Sequence, residues 1–395
     1  MAGEARQKHG CFHRNTILKG TLSLGGRQPS AKNKVMADTP ISEAAIINCA
    51  SRVTDPELGR SFADAHMLAG ATVATNGDIQ VQVELPTPAY PGRERITDAI
   101  AAALKEEFPA AGPVTVDFSW KVCGKESGGS IGLRCKNVIA VGSGKGGVGK
   151  STVAASLAYG LHTLGARVGL MDADVYGPSI PHMLGASGQP AMVEKQGEDG
   201  QTVRRIEPVD VDGLKTMSMG YLVPPEEAVI WRGPMLHGAI TQFLKDTDWG
   251  ELDYLFIDLP PGTGAVTLTL SQLLGLAGAV VVCTPQQVAL LDAIKALKMF
   301  EKVKIPVLGI VENMSGEIFG RGGAQQASQK HNVPFLGELP IDSRIRIDAD
   351  AGHLQGLFDD DSTAKPHLLN ICERVAIEIA KNAQVSSQMP SLEIL

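Results

Sequence analysis

The chain has 395 residues, 44% hydrophobic and 20% charged, with a formal net charge of -7; this fits an ordinary globular protein of two or three domains with a sizeable core, and nothing in the overall balance points to a nucleic-acid partner, local basic patches aside. Its six cysteines, at 11, 49, 123, 135, 283 and 372, never fall at C-x-x-C spacing, which excludes the zinc-ribbon and thioredoxin patterns, leaves no disulfide framework and makes a reducing, cytoplasmic setting the expectation. No apolar run reaches the roughly 18 to 20 residues of a membrane-spanning helix, so no membrane partner is expected.

In residues 1–37, Arg6, Lys8, Arg14, Lys19, Arg27, Lys32 and Lys34 face a single acid, Glu4. Such composition predicts a disordered tail, or sequence upstream of a start at Met36; an Arg-rich targeting segment is the alternative. Residues 40–122 contain helical spacing in ISEAAIINCASRV, strict alternation in DIQVQVEL, a second amphipathic helix in ERITDAIAAALKEEF and a strand in PVTVDFSW. That order predicts a small α+β domain. Glycine and serine mark 123–136 as a linker.

From 137 to 385 short apolar runs alternate with helical segments: NVIAV, RVGLMDAD, YLFIDLP, AVVVCTP and PVLGIVEN are the strands, KSTVAASLAYGLHTLG and QVALLDAIKALKMFEKV two of the helices. Continuous apolar strands between helices predict an α/β domain whose mostly parallel sheet is covered on both faces. HLLNICERVAIEIAKNA predicts a closing helix, and 386–395 a frayed tail.

The segment VGSGKGGVGKST carries G-x-x-x-x-G-K-S/T between the strand NVIAV and a helix. This is the context a P-loop NTPase requires. Gly144, Lys145, Gly146, Gly147, Val148, Gly149, Lys150, Ser151 and Thr152 are therefore expected to cradle the phosphates of ATP, with backbone N–H groups turned inward and the helix N-terminus adding positive charge. Lys150 is expected to bridge the outer phosphates and Ser151 to ligate Mg2+. Asp258 ends the apolar run YLFID, where a carboxylate can hold Mg2+ directly or through water. Asp172 and Asp174 share one face if their strand stays extended, which would aim both at the same phosphates, one at Mg2+-bound water and one at the attacking water.

Taken together, GKGGVGKST, DADVYGPS, WRGPM, DLPPGTG, TPQ and ENMSGEIFGRGG resemble the Mrp/ApbC iron–sulfur carrier ATPases, members of the deviant Walker-A class with the MinD/ParA proteins. VTDPELGRSF and VELPTPAYPG resemble the small domain that often precedes that ATPase. The resemblance implies a homodimer with ATP between its subunits, in which the early loop lysine, Lys145, crosses to the partner's phosphates, as an arginine finger does. It further implies that Asp174 orients water, that Asp172 lies near Mg2+, and that Asn313 lies near the adenine. The client would be an iron–sulfur apoprotein or another protein.

The family usually bridges a 4Fe–4S cluster across its dimer with a C-x-x-C between NMS and IFG, thiolates being what holds such a cluster. Here Ser315 runs through Gly316 and Glu317 directly to Ile318, and Tyr90 stands where the small domain often has a cysteine. Cys283 and Cys372 read as buried packing residues, and Cys123 and Cys135 flank the linker. Two principal readings stay open: a carrier ATPase using other ligands or a partner's, and a metal-free, nucleotide-gated dimerisation switch acting on a protein. A small-molecule kinase, the third, leaves Lys145 without a role.

Overall fold

Ser42 accepts the Ala45 N–H at 3.2 Å as the N-cap of α1 (Glu43–Ser51). The computed structural model describes residues 41–124, 127, 131–196, 202–223, 233–262 and 264–387. The expected tail at 1–37, Trp231 and Arg232 of WRGPM, Thr263 of DLPPGTG, part of the 123–136 linker and residues 388–395 lie outside them.

After α1 come β1 (Leu68–Val73), β2 (Ile79–Leu85), α2 (Arg93–Glu107) and β3 (Val114–Trp120). The alternation in β2 places Ile79, Val81, Val83 and Leu85 inside and Gln80 and Gln82 outside, as a half-covered strand requires. It is the central strand, antiparallel to β1 and parallel to β3. Ile46 of α1 and Ile96, Ile100 and Leu104 of α2 fill the core beside it. Ile377 and Ala380, far along the chain, belong to the same core.

The larger sheet is assembled from β4 (Cys135–Gly142), β5 (Val168–Asp172), β8 (Val209–Val211), β9 (Leu214–Ser218), β10 (Leu252–Asp258), β11 (Gly278–Cys283), β12 (Val307–Ser315) and β13 (Phe335–Pro340), with a separate hairpin β6 (Met192–Gln196) and β7 (Thr202–Ile206). Its order is β13-β12-β11-β4-β10-β5-β9-β8, and β8 alone pairs antiparallel. The helices are α3 (Lys150–Thr163), α4 (Ile180–Met183), α5 (Gly233–Asp246), α6 (Ala265–Leu273), α7 (Gln287–Lys302), α8 (Gly323–His331), α9 (Ser343–Asp350) and α10 (Lys365–Ser387). In β4, Ile139 and Val141 enter the core shared with α3 and α10, while Val138 and Ala140 enter the core shared with α5, α6 and α7. Both faces are therefore covered, which is why the strand is apolar at successive positions rather than alternate ones. The expected α/β architecture with a preceding α+β layer is what forms. The β6–β7 hairpin, β8, β9 and β13 carry no signal strong enough to have been anticipated.

Candidate functional site

Strand register sets the site. Asp258, the last residue of β10, is paired with Val141 on one side and with Asp172, the last residue of β5, on the other. Both carboxylates therefore reach the C-terminal edge of the sheet at the same level as the loop that leaves β4. That edge is where open α/β sheets bind ligands.

The loop from Ser143 to Gly149 is held from three directions. Ser143 Oγ donates to the Lys145 carbonyl at 2.9 Å, Gly262 N–H donates to the Ser143 carbonyl at 3.0 Å, and Asn313 Nδ2 donates to the Val148 carbonyl at 2.9 Å. Gly149 takes φ 78° immediately before α3, and a Cβ there would stand 2.1 Å from Asn313 Nδ2. A Cβ on Gly144 would stand 2.1 Å from the Asp292 backbone. Only glycine fits either position.

Lys150, the first residue of α3, is buried, and its Nζ donates to Asp258 Oδ1 at 2.6 Å and to Ser151 Oγ at 3.2 Å. Asp174 Oδ2 lies 3.9 Å from the same nitrogen. The second oxygen of Asp258 is buried and has no hydrogen-bond partner among the described residues. Burial pushes the Asp258 carboxyl above its ordinary range, and Lys150 opposes that push. Burial followed by the nearby charge of Asp258 raises Asp172, and burial raises Asp174 against the pull of Lys150. An unpartnered, buried, hard oxygen beside a serine hydroxyl is a donor set suited to Mg2+.

Asp172 is differently engaged. Its Oδ1 accepts from Asp174 N–H at 3.0 Å, and its Oδ2 accepts from Ser218 Oγ at 3.0 Å and Ile180 N–H at 3.3 Å. Both oxygens thus brace the segment leading into α4, and metal ligation there would have to exchange these donors. The extended backbone ends at Asp172, so Asp174 reaches Lys150 from a turn and not by strand alternation.

Lys145 is partly exposed and makes no ion pair among the described residues. It lines a cleft of about 720 Å3 together with Lys150, Ser151, Thr152, Asp174 and Asn313. The cleft also has apolar lining from Met183, Met314, Phe319, Ile341 and Ile345. Such a cleft suits phosphates at one end and a flat base at the other. Met314 and Phe319 fall within ENMSGEIFGRGG, whereas no periodicity or motif marked Met183, Ile341 or Ile345. Met314, beside Asn313, holds φ 58°, a left-handed conformation that costs a non-glycine residue about 1–2 kcal/mol. Glu312 was also unforeseen: fully buried, it accepts from Gly322 N–H at 2.7 Å and Ala324 N–H at 2.6 Å, fixing the start of α8.

Between Ser315 and α8 the chain closes a small hairpin. Gly316 and Gly320 exchange two backbone hydrogen bonds of 2.8 Å, and Ile318 projects from it, 76% exposed. The described cysteines sit elsewhere, as free thiols. Cys49, Cys135, Cys283 and Cys372 are buried on α1, β4, β11 and α10; burial pushes the Cys135 and Cys283 thiols up to about 12 and raises the Cys372 thiol further. Cys123 is half-buried. Among the described residues no three histidine, cysteine, aspartate or glutamate side chains gather as a metal site. These thiols do not fit a shared iron–sulfur cluster.

Residues 134–376 match the family model of the NUBPL iron-transfer P-loop NTPases, and residues 43–118 match that of the iron–sulfur cluster assembly proteins. The iron–sulfur cluster carrier protein of Deinococcus radiodurans is 44% identical over 361 residues, covering 88% of this chain and 99% of that protein. The carrier protein of Escherichia coli is 46% identical over 260 residues, 63% of this chain and 69% of that one. Among solved structures, a nucleotide-binding protein from Archaeoglobus fulgidus in complex with ADP is 40% identical with a TM-score of 0.49, covering 57% of this chain and 90% of that chain. The cell division ATPase MinD of Pyrococcus furiosus is 23% identical with a TM-score of 0.46, covering 60% and 98%.

Proposed function

This chain belongs to the iron-transfer P-loop NTPase family, and from that premise we propose that it binds ATP with Mg2+ and hydrolyses it to ADP and phosphate as a homodimer serving iron–sulfur cluster assembly. One observation carries the reading: Lys150, which lines a cleft together with Asp174 and apolar side chains, has its Nζ 2.6 Å from Asp258 and 3.9 Å from Asp174. When nucleotide enters, Lys150 exchanges Asp258 for the outer phosphate oxygens. Ser151 and the freed Asp258 are the oxygens available to Mg2+, which would offset phosphate charge. Asp174, at the rim of the cleft, orients the water that attacks the terminal phosphorus; the bond to the bridging oxygen breaks and ADP leaves.

Lys145 makes no ion pair among the described residues, which supports its reaching the phosphates of a second copy. Asn313 buttresses the loop through Val148 and borders the base end of the cleft. The free thiols suit a reducing, cytoplasmic setting. The cluster is cargo in this reading, and the client is an iron–sulfur apoprotein. The buried thiols favour cluster ligands supplied from outside the described residues or by the partner. The test is ATP turnover measured alongside sedimentation, with and without a non-hydrolysable ATP analogue. Turnover with analogue-stabilised dimers is expected. Turnover by a strict monomer would overturn the shared-site part, and no turnover would overturn the ATPase itself.

A further inference from the structure

Ser218 closes β9 beside Asp172, its register partner in β5. It is fully buried and does not line the nucleotide cleft. Its hydroxyl is used twice: it donates to Asp172 Oδ2 at 3.0 Å and accepts the Gly220 N–H at 3.0 Å. Asp172 in turn grips the stretch that follows β5 at two points, the Asp174 N–H through Oδ1 at 3.0 Å and the Ile180 N–H through Oδ2 at 3.3 Å. That stretch begins with Asp174, whose Oδ2 lies 3.9 Å from Lys150 Nζ. It ends in α4, which carries His182 and Met183 to the cleft.

Nothing intrinsic to an aspartate fixes the plane of its carboxylate, because χ2 is a broad, roughly twofold torsion. Here the donors fix it. The Asp174 and Ile180 N–H groups belong to the segment being held and move with it, whereas Ser218 belongs to a neighbouring strand and is anchored in the sheet. The same corner meets the segment from a second side. Ser218 caps a single 3-10 turn, Met219–Tyr221, and a Cβ on its Gly220 would stand 3.3 Å from Pro178 and 3.1 Å from Pro181. The Tyr221 hydroxyl and Thr216 of β9 share a buried hydrogen bond of 2.6 Å, which ties that turn to the strand.

We propose that Ser218 is a positioning residue for ATP hydrolysis, acting through Asp172 to hold Asp174 in register with the phosphate loop; this role rests on the ATPase reading above, in which Asp174 orients the attacking water. Without the hydroxyl, Asp172 Oδ2 keeps, among the described residues, only the longer bond to Ile180. The carboxylate then turns, and Asp174 loses its fixed distance from Lys150. Attack by water is steeply sensitive to such movement, a misplacement of about 1 Å costing about a hundredfold in rate. Nucleotide binding is not, since the loop and Lys150 keep their places.

The test is steady-state ATP turnover of the full chain with Mg2+, together with Mg-ADP affinity by calorimetry. Ser218→Ala is expected to lower kcat at least about tenfold, with KM and Mg-ADP affinity within about twofold of the unaltered chain. Ser218→Thr, which keeps the hydroxyl, is expected to retain most of the rate. Added to Asp174→Asn, Ser218→Ala should cost less than about a further twofold, because the group it positions is already gone. An unchanged kcat in Ser218→Ala would overturn the proposal. So would an equal loss in both backgrounds, or a fall in Mg-ADP affinity as large as the fall in kcat, which a general loosening of the site produces. Hydrogen exchange reads the hold itself, without turnover: Ser218→Ala should speed exchange of the Asp174 and Ile180 amides at least about tenfold and leave those of α3 as they were. Equal exchange at the two amides would overturn the proposal while leaving the ATPase reading intact. Absence of turnover in the unaltered chain would overturn the ATPase reading and this role with it.

Discussion

Tyr254 and Thr87, 167 positions apart, share a buried hydrogen bond of 3.1 Å. Tyr254 lies in β10, four residues before Asp258, and Thr87 follows β2 of the small sheet. The bond ties the strand that delivers Asp258 to the layer that precedes the ATPase fold. Tyr254→Phe removes the donor, while Thr87 keeps the Ala89 N–H at 3.2 Å. The expected loss is about 1 kcal/mol of unfolding free energy, the usual size for one buried hydrogen bond. Urea denaturation followed by far-ultraviolet circular dichroism would measure it, and an unchanged midpoint would show that the tie contributes nothing.

Lys150→Ala removes the cation between Asp258 and the phosphates. ATP affinity is expected to fall more than tenfold, read by calorimetric titration. Stability should fall by less than the roughly 3–5 kcal/mol typical of a broken buried ion pair, because the Asp258 carboxyl is already pushed towards its neutral form by burial. Retained affinity would remove Lys150 from the phosphate site.

Lys145→Ala should separate binding from turnover. No ion pair among the described residues is lost, so affinity for a non-hydrolysable ATP analogue should stay within about threefold, while turnover drops at least about a thousandfold, the lower reach of a lost finger residue. Turnover equal to that of the unaltered chain would refute the cross-subunit role.

Asp253 gives the fold an acid dependence away from the nucleotide. Burial pushes its carboxyl up, but hydrogen bonds from Arg167 and Lys136 outweigh that and hold it below its ordinary value. Arg167 Nη2 and Lys136 Nζ stand 3.1 and 2.9 Å from Oδ1. A carboxylate with a lowered folded-state pKa stabilises the fold above its unfolded pKa, about 4, and that contribution disappears as pH falls through the folded value. Asp253→Asn should therefore be less stable at pH 7, with the difference from the unaltered chain narrowing below about pH 4. A constant difference across that range would contradict the assignment.

Cys135 is the clearest test of the thiols. Its sulfur lies 3.2 Å from the Asn137 carbonyl and its thiol is raised to about 12, a poor start for a thiolate ligand. After anaerobic reconstitution, Cys135→Ser should carry the same iron and sulfide as the unaltered chain. Loss of cluster in that variant alone would make Cys135 a ligand and refute the reading of the thiols given above.

The nucleotide loop was legible from the chain because its chemistry is local: glycines, a lysine and a serine within a dozen residues, between an apolar strand and a helix, need no distant partner to be recognised. Asp258 was legible for a similar reason, as the end of a buried strand. Alternation predicted β2 residue by residue, since one of its faces is covered and the other is not. The role of Asp172 was not legible, because period-two reasoning holds only while the backbone stays extended, and β5 ends at that residue. Ser218, which holds its carboxylate, arrives from β9, a strand whose neighbour is chosen by sheet order.

The apolar lining of the nucleotide cleft and the basic residues before β4 and in β6 and α5 come from segments widely separated in the chain. Nothing in Met183, Met314 and Ile345, or in Arg134, Lys195 and Lys245, marks them as neighbours. Sequence by itself determined the buried strands β4, β5, β10, β11 and β12, the phosphate loop and the family, because hydrophobic period and backbone chemistry act over a few residues. Tertiary structure alone decided that Lys150 rests on Asp258, that Asp172 accepts from Ser218, and that four described thiols are buried, because strand order and register determine which distant side chains meet and which lose contact with water.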